Sequence, residues 1–132
     1  MVSQDWDEMD KGDLLQKLLD TTQTMIFWKD RDRRFRGVNQ AFLDYYGFAS
    51  QELLLGKTDE ELGWHANPDP FQDDEWRVLN EGCHTYMVHG KCMARGAERD
   101  ILASKKPLLH NGKIIGLVGS FVDITERLRQ EN

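Results

Sequence analysis

Cysteine and proline are scarce in this chain of 132 residues, which has two of the first and three of the second. Two cysteines are too few for a disulfide framework, so the composition points to a reducing compartment such as the cytoplasm. No apolar run approaches the roughly 18 residues of a membrane-spanning helix, and no signal-peptide pattern opens the chain. Basic residues are outnumbered, with 17 Lys and Arg against 23 Asp and Glu and a net charge of -6. Phosphate binding needs a basic patch, so this balance argues against direct contact with nucleic acid. Internal repeats, low-complexity tracts and a phosphate-cradling glycine-rich loop are also missing.

What is present suits one small domain. A hydrophobic fraction of 39% beside 30% charged residues reads as globular, and the length leaves room for one core. Residues 1–10 are acidic and are expected to fray. From Asp13 onward, Leu14, Leu15, Leu18, Leu19 and Thr22 fall at helical spacing and predict an amphipathic helix. Its apolar stripe can pack on a sheet or pair with a second copy.

A first hairpin is expected from Met25–Lys29 and Phe35–Val38 around a turn at Arg31–Arg34. The cluster Arg31, Arg33, Arg34 and Arg36 is interrupted by Asp30 and Asp32 and reads as a solvated turn and edge strand. Asn39 can accept from a helical N–H where strand becomes helix, and Gly47 can end that helix. Ser50 caps a short helix through Leu55, while Thr58 and Glu61 have capping-box spacing. After the loop Asn67-Pro68-Asp69-Pro70, Phe71–Glu81 reads as a helix with Trp76 and Leu79 on one face, ended by Gly82. A strand near His84–Val88, a loop through Gly90 and Gly96, and a strand over Arg99–Lys105 follow. Asn111-Gly112 between apolar runs is a strong hairpin signal, because both central residues of a type I′ turn need positive φ. The last strand runs through Ile114–Phe121 into Asp123-Ile124-Thr125-Glu126-Arg127, where Thr125 can cap a helix. Two strands, several short helices and three strands suit an α+β antiparallel sheet with helices gathered on one face.

Catalytic chemistry finds no foothold in these residues. Cys83, His84, His89 and Cys92 lie within ten positions, but an extended strand separates Cys83 from His89 by about 20 Å. His84 has opposite parity to Cys83, and His89 with Cys92 across a loop would not complete a zinc shell, so no metal is expected. Neither Ser104 nor Ser120 sits in a nucleophile-elbow or triad-like motif, and Asp59, Glu60 and Glu61 read as capping and solubility residues. The expectation is a binding module, not an enzyme.

The ending Val122-Asp123-Ile124-Thr125-Glu126-Arg127 resembles the last strand and terminal signature of PAS domains. Upstream, Ile26-Phe27-Trp28-Lys29-Asp30 with Phe35–Asn39, then Asn39–Gly47 and Leu55–Leu62, resemble that family's first strands and helices in order. The resemblance covers residues 20–126. It implies a PAS fold, with a five-stranded antiparallel sheet, short helices on one face and flanking N- and C-terminal helices. Residues 1–22 would be an acidic segment and helix, 23–125 the sensor domain, and 126–132 the start of an output helix.

The resemblance also implies a cup between the sheet and the helices that takes a small molecule. Carried onto this chain, its pocket-facing pattern selects Phe27, Lys29, Ile101, Ala103, Leu117, Gly119 and Phe121 on strands. Phe42, Tyr46 and Trp76 would close it from the helical side, with Trp64 a weaker candidate wall. A lysine facing a cavity is costly unless paired, so Lys29 either anchors an anionic ligand or pairs with an internal carboxylate. Reversed strand parity would instead put Ile26 and Trp28 inside and Lys29 in water, and a core simply filled by the rings would leave no cavity. The residues leave these alternatives open.

Cofactor classes of the family can be compared with the residues. The Asn-Cys-Arg-Phe signature of its light-sensing flavin branch is absent, since Gly56-Lys57-Thr58-Asp59-Glu60 has no cysteine. The helix Phe71–Glu81 has no histidine for haem, and His65 lies upstream in a loop. A small organic ligand of unknown identity, or none, is the remaining expectation. Asp123 and Thr125 would form the junction that relays a signal into the C-terminal helix. The resemblance further implies a cytoplasmic homodimer joined to an output domain in the same chain: a kinase, a cyclic-dinucleotide synthase or a DNA-binding regulator. A ligand-free dimerisation or interaction module is the alternative.

Overall fold

The computed structural model of the chain describes residues 4–131. Two short helices lead, α1 (Gln4–Glu8) and α2 (Lys11–Leu19). Asp10 accepts a hydrogen bond from the Asp13 N–H and fixes the start of α2. Of the first ten residues, expected to fray, 1–3 lie outside the described part and Gln4–Glu8 are helical.

The sheet contains β1 (Met25–Asp30), β2 (Phe35–Val38), β3 (Thr85–Ala94), β4 (Ala97–His110) and β5 (Lys113–Asp123), in the order β2-β1-β5-β4-β3. All neighbours are antiparallel, and β5 lies between β1 and β4 with Met25 opposite Phe121 and Ala103 opposite Phe121. Between β2 and β3 run α3 (Gln40–Tyr46), a 3₁₀ turn (Gln51–Leu53), α4 (Asp59–Leu62) and α5 (Asp69–Glu81), and α6 (Thr125–Glu131) follows β5. This is the α+β arrangement expected from the sequence.

Turn chemistry explains the hairpins. Asn111 and Gly112 have φ of 51° and 75°, the left-handed pair that a tight two-residue turn requires. Arg95 and Gly96 repeat the device with φ of 49° and 82° and join β3 directly to β4. The expected loop through Gly90 is therefore strand. Gly90 is needed there because a Cβ would come within 2.1 Å of the Phe71 ring, which packs against the bare backbone. With residues 89–92 extended, His89 and Cys92 point to opposite faces, the first exposed and the second buried. Among the described residues, no group of three or more His, Cys, Asp or Glu is placed to hold a metal ion.

Helix ends follow the sequence signals closely. The Asn39 carboxamide oxygen accepts from the N–H of Phe42, Gly47 terminates α3 in the left-handed region, and Thr58 with Glu61 forms a reciprocal capping box. The buried stripe of α5 is Phe71, Asp74, Glu75, Val78 and Leu79, the i, i+3, i+4, i+7, i+8 pattern of a core-facing helix. Trp76 falls outside that stripe.

The core lies between the sheet's inner face and α3, α4 and α5. Phe27, Phe35, Phe42 and Phe121 meet mostly edge to face, with ring centroids 5.6–6.5 Å apart. Burying each such ring stabilises the fold by about 1.5–3 kcal/mol. On β1 the odd residues Met25, Phe27 and Lys29 are buried, which settles the strand parity in favour of an inward Lys29.

Candidate functional site

The inner face of the sheet and the helices enclose a small cavity. It is lined by Phe27, Lys29, Phe42, Tyr46, Ile101, Ala103 and Phe121, all expected, by Trp64, expected as a weaker wall, and by His65, the last two from the loop before α5. Leu117 is fully buried in the core but does not line this space. Trp76 is corrected: it is 40% exposed on the outer side of α5, its ring 5.9 Å from the Arg33 guanidinium carbon. Helical phase is the reason, since Trp76 follows the inward Glu75 by one position. The space itself is only about 30 Å³, room for one or two waters.

One end of the cavity is apolar and the other ionic. Tyr46 and Trp64 stack with centroids 4.0 Å apart and an interplanar angle of 20°. At the ionic end, Lys29 is 2% exposed and donates to Asp59 Oδ2 at 2.5 Å and to the Glu75 carboxylate at 2.9 and 3.0 Å. Lys105 Nζ lies 3.0 Å from Glu75 Oε2 and 3.4 Å from Asp74 Oδ2. Arg33 Nε donates to Glu75 Oε1 at 2.8 Å, and its Nη1 donates to Glu60 at 2.6 Å. Thus three cations meet three buried carboxylates plus the half-exposed Glu60. Among the described residues, no buried side-chain nitrogen or oxygen lacks a hydrogen-bond partner.

Electrostatics follow from this pairing. Burial works against the Lys29 ammonium, but Asp59 and Glu75 outweigh it and hold its pKa above the ordinary lysine value. Burial likewise disfavours the Glu75 carboxylate, yet Lys105, Lys29 and Arg33 hold it well below the usual carboxylate range. His65, its ring stacked on Phe71 at 4.0 Å, is pushed down chiefly by burial. Of the two roles open to Lys29, internal pairing is the one this geometry displays.

Sequence reasoning missed most of this ionic cluster. Arg33 is buried, contrary to the solvated turn expected for the arginine cluster, because its φ of 62° turns its side chain under the hairpin toward α5. Asp59 is buried too, and beyond opening α4 it holds Lys29 and Trp64. The available signal was the α5 stripe itself, which includes Asp74 and Glu75 among its apolar positions.

A second cluster sits where β5 ends. Asp123 Oδ2 accepts from the Tyr45 hydroxyl at 2.6 Å and from Arg99 Nε at 2.7 Å, while Oδ1 accepts from the Thr125 N–H at 2.7 Å. Burial raises the Asp123 pKa, but these three donors outweigh it and hold the carboxyl well below the usual range. The Tyr45 hydroxyl is pushed up by burial and by Asp123. Thr125 does not cap α6 with its hydroxyl, which instead accepts from the Asp100 N–H at 2.8 Å on β4. Tyr45 was not foreseen; its ring lies 5.1 Å from that of its neighbour Tyr46 at 89°.

Comparison with known proteins agrees with this architecture. The PAS fold family matches residues 19–129. An RNA-binding light-oxygen-voltage receptor superposes with a TM-score of 0.75 at 19% identity, covering 92% of this chain and 35% of that one. The VqmA dimer of Vibrio cholerae gives 0.75 at 22%, covering 90% and 53%. The PAS domain of Bordetella pertussis BvgS gives 0.61 at 24%, covering 92% and 95%. This chain thus spans about a third and about half of the first two proteins. No curated protein matches the sequence, and no helix among the described residues is long and apolar enough to cross a membrane. With the PAS fold family matched over most of its length and its five-stranded sheet cupped by short helices, the chain belongs to the PAS fold family.

Proposed function

We propose that this chain is a non-catalytic cytoplasmic sensory module in which a small molecule entering the cup alters the C-terminal junction and, through α6, an output domain of the same polypeptide. The observation that carries this reading is the bond between Tyr45 and Asp123. Tyr45 belongs to α3, whose Phe42 and Tyr46 wall the cavity, and Asp123 fixes the first N–H of α6. A shift of α3 on ligand entry would pull on that carboxylate and reorient the helix start. VqmA is described bound to DPO and to DNA, which favours a ligand-gated regulator as the type of protein. Mass spectrometry of the domain under native and denaturing conditions tests the reading. A mass excess lost on denaturation is expected; a ligand-free mass from freshly prepared protein argues for the second reading below.

That second reading is a ligand-free dimerisation module, and the nearly filled cavity favours it. Leu15 and Leu18 on α2 are 58% and 57% exposed, an apolar stripe suited to a second copy. Dimerisation through α2 is compatible with either reading; the presence of a ligand separates them.

A further inference from the structure

Trp64 is part of the aromatic core of the cup, but the proposed relay makes no use of it. It comes from the short loop between α4 and α5, yet its side chain enters the domain and is 5% exposed. Its indole lies flat on Tyr46 and meets Phe35, Phe42 and Phe48 edge-on at 5.7–6.0 Å. Its Nε1–H donates to Asp59 Oδ1 at 2.9 Å. A planar ring stacked on one aromatic, walled by others and donating one hydrogen bond to a buried carboxylate is the geometry of a bound heterocycle. We propose that Trp64 is an internal occupant of the ligand slot, and that the ligand is a neutral planar heteroaromatic with an N–H donor that takes its place. This rests on the reading of the cup as a small-molecule site.

Three observations fix the ligand class. The remaining space of about 30 Å³ is far below the roughly 150 Å³ of apolar cavities that bind a single aromatic ring. A ring can therefore enter only if a side chain leaves; Trp64 and His65 are the walls carried by a loop, and of these two Trp64 is the one whose ring fills the aromatic end against Tyr46. Next, the buried cations and carboxylates are already paired with one another. A charged ligand would have to break one of those pairs, whereas a neutral one leaves them intact. Finally, Asp59 Oδ2 is held by Lys29, but Oδ1 would lose the donation from Trp64 once the indole swings out. The incoming ring must replace that donor or leave a buried carboxylate oxygen unsatisfied.

Trp64→Ala in the complete chain tests the assignment, with indole as the probe and 1-methylindole as its donor-less analogue. Calorimetry on the folded variant is expected to show indole binding about tenfold or more tighter than 1-methylindole, and about tenfold or more tighter than indole to the wild type. Equal binding by the two probes overturns the donor requirement. Equal binding of indole to variant and wild type, or none to a folded variant, overturns the assignment of Trp64. If the variant does not fold, the wild-type protein decides. Of its four tryptophan side-chain N–H signals, the one from Trp64 should move toward the solvent-exposed position as indole is added. A Trp64 signal unmoved at the solubility limit of indole overturns the proposal. Native mass spectrometry separates the two levels of inference. A wild-type adduct that is charged or lacks a ring overturns the ligand class and leaves sensing intact. An indole-binding variant beside a ligand-free wild type supports the slot and removes sensing.

Discussion

Two carboxylates organise this molecule, and they differ in where the water is. Glu75 lies at the bottom of the cup, 1% exposed, and its two oxygens meet Lys29, Arg33 and Lys105. Asp123 lies at the rim between β5 and α6, with Tyr45, Arg99 and the Thr125 N–H as its donors, and both it and Arg99 are partly open to solvent. Similar chemistry thus serves opposite ends. Around Glu75 bulk solvent is shut out and the adjoining space holds at most one or two waters, so losing a partner leaves a buried charge poorly compensated and the cluster acts as a stiff floor. At Asp123 water can substitute for any single donor, so exchange of partners is cheap and a helix start can be biased by small forces.

The sharpest test removes charge at the floor. Glu75→Gln keeps the volume but strips the counter-charge from three buried cations, and we expect a loss of about 3–5 kcal/mol, read from urea midpoints. A loss below about 1 kcal/mol would mean that water reaches the cluster and would collapse the contrast with Asp123.

Acid titration comes next. Glu75 and Asp123 both have pKa values lowered by folding, so the stability they contribute is complete above the unfolded values of about 4 and disappears as pH falls through the folded ones. The Tm should hold near neutrality and fall steeply below about pH 4, and Glu75→Gln should flatten that acid limb. An unchanged limb in the variant would place the acid sensitivity elsewhere.

At the rim the effects shrink. Asp123→Asn should cost on the order of 1–2 kcal/mol, because partial exposure lets solvent replace what is lost. In the full-length protein, however, it should uncouple output from input, and unchanged signalling would remove Asp123 from the relay. Tyr45→Phe deletes one hydrogen bond and should cost about 0.5–1.5 kcal/mol, while weakening the same coupling. Smallest of all in folding terms, Leu15→Glu with Leu18→Glu should change monomer stability by no more than about 0.5 kcal/mol. Sedimentation should nevertheless show any dimer weakened; an unaltered association constant would place the interface off α2.

Much of the scaffold was legible before any coordinates. Asn111-Gly112 marked its hairpin because only a left-handed pair closes such a turn, and Asn39, Gly47 and the Thr58–Glu61 box marked helix ends through local hydrogen bonding. These signals act within four residues, so the sequence displays them directly. The Arg95-Gly96 hairpin was hidden by Gly90, whose role depends on a ring from α5 and not on its neighbours in sequence. Trp76, expected as a wall, lies outside, and Trp64, expected as a weaker one, lines the cavity, for a related reason. One helical step decided the first, and a loop conformation that no periodicity describes decided the second.

By itself, then, the sequence determined most of the strands and helices, where many of them stop, and that the terminal strand hands over to a helix at Asp123 and Thr125. Those outcomes follow from backbone sterics and short-range bonding. The tertiary structure alone decided that Lys29 is neutralised by Asp59 and Glu75, that Arg33 is buried, and that an indole fills the cup. Lys29 meets partners 30 and 46 positions away, and burying a charge is tolerable only once such partners converge. That convergence is a property of the packed chain and is written in no single stretch of it.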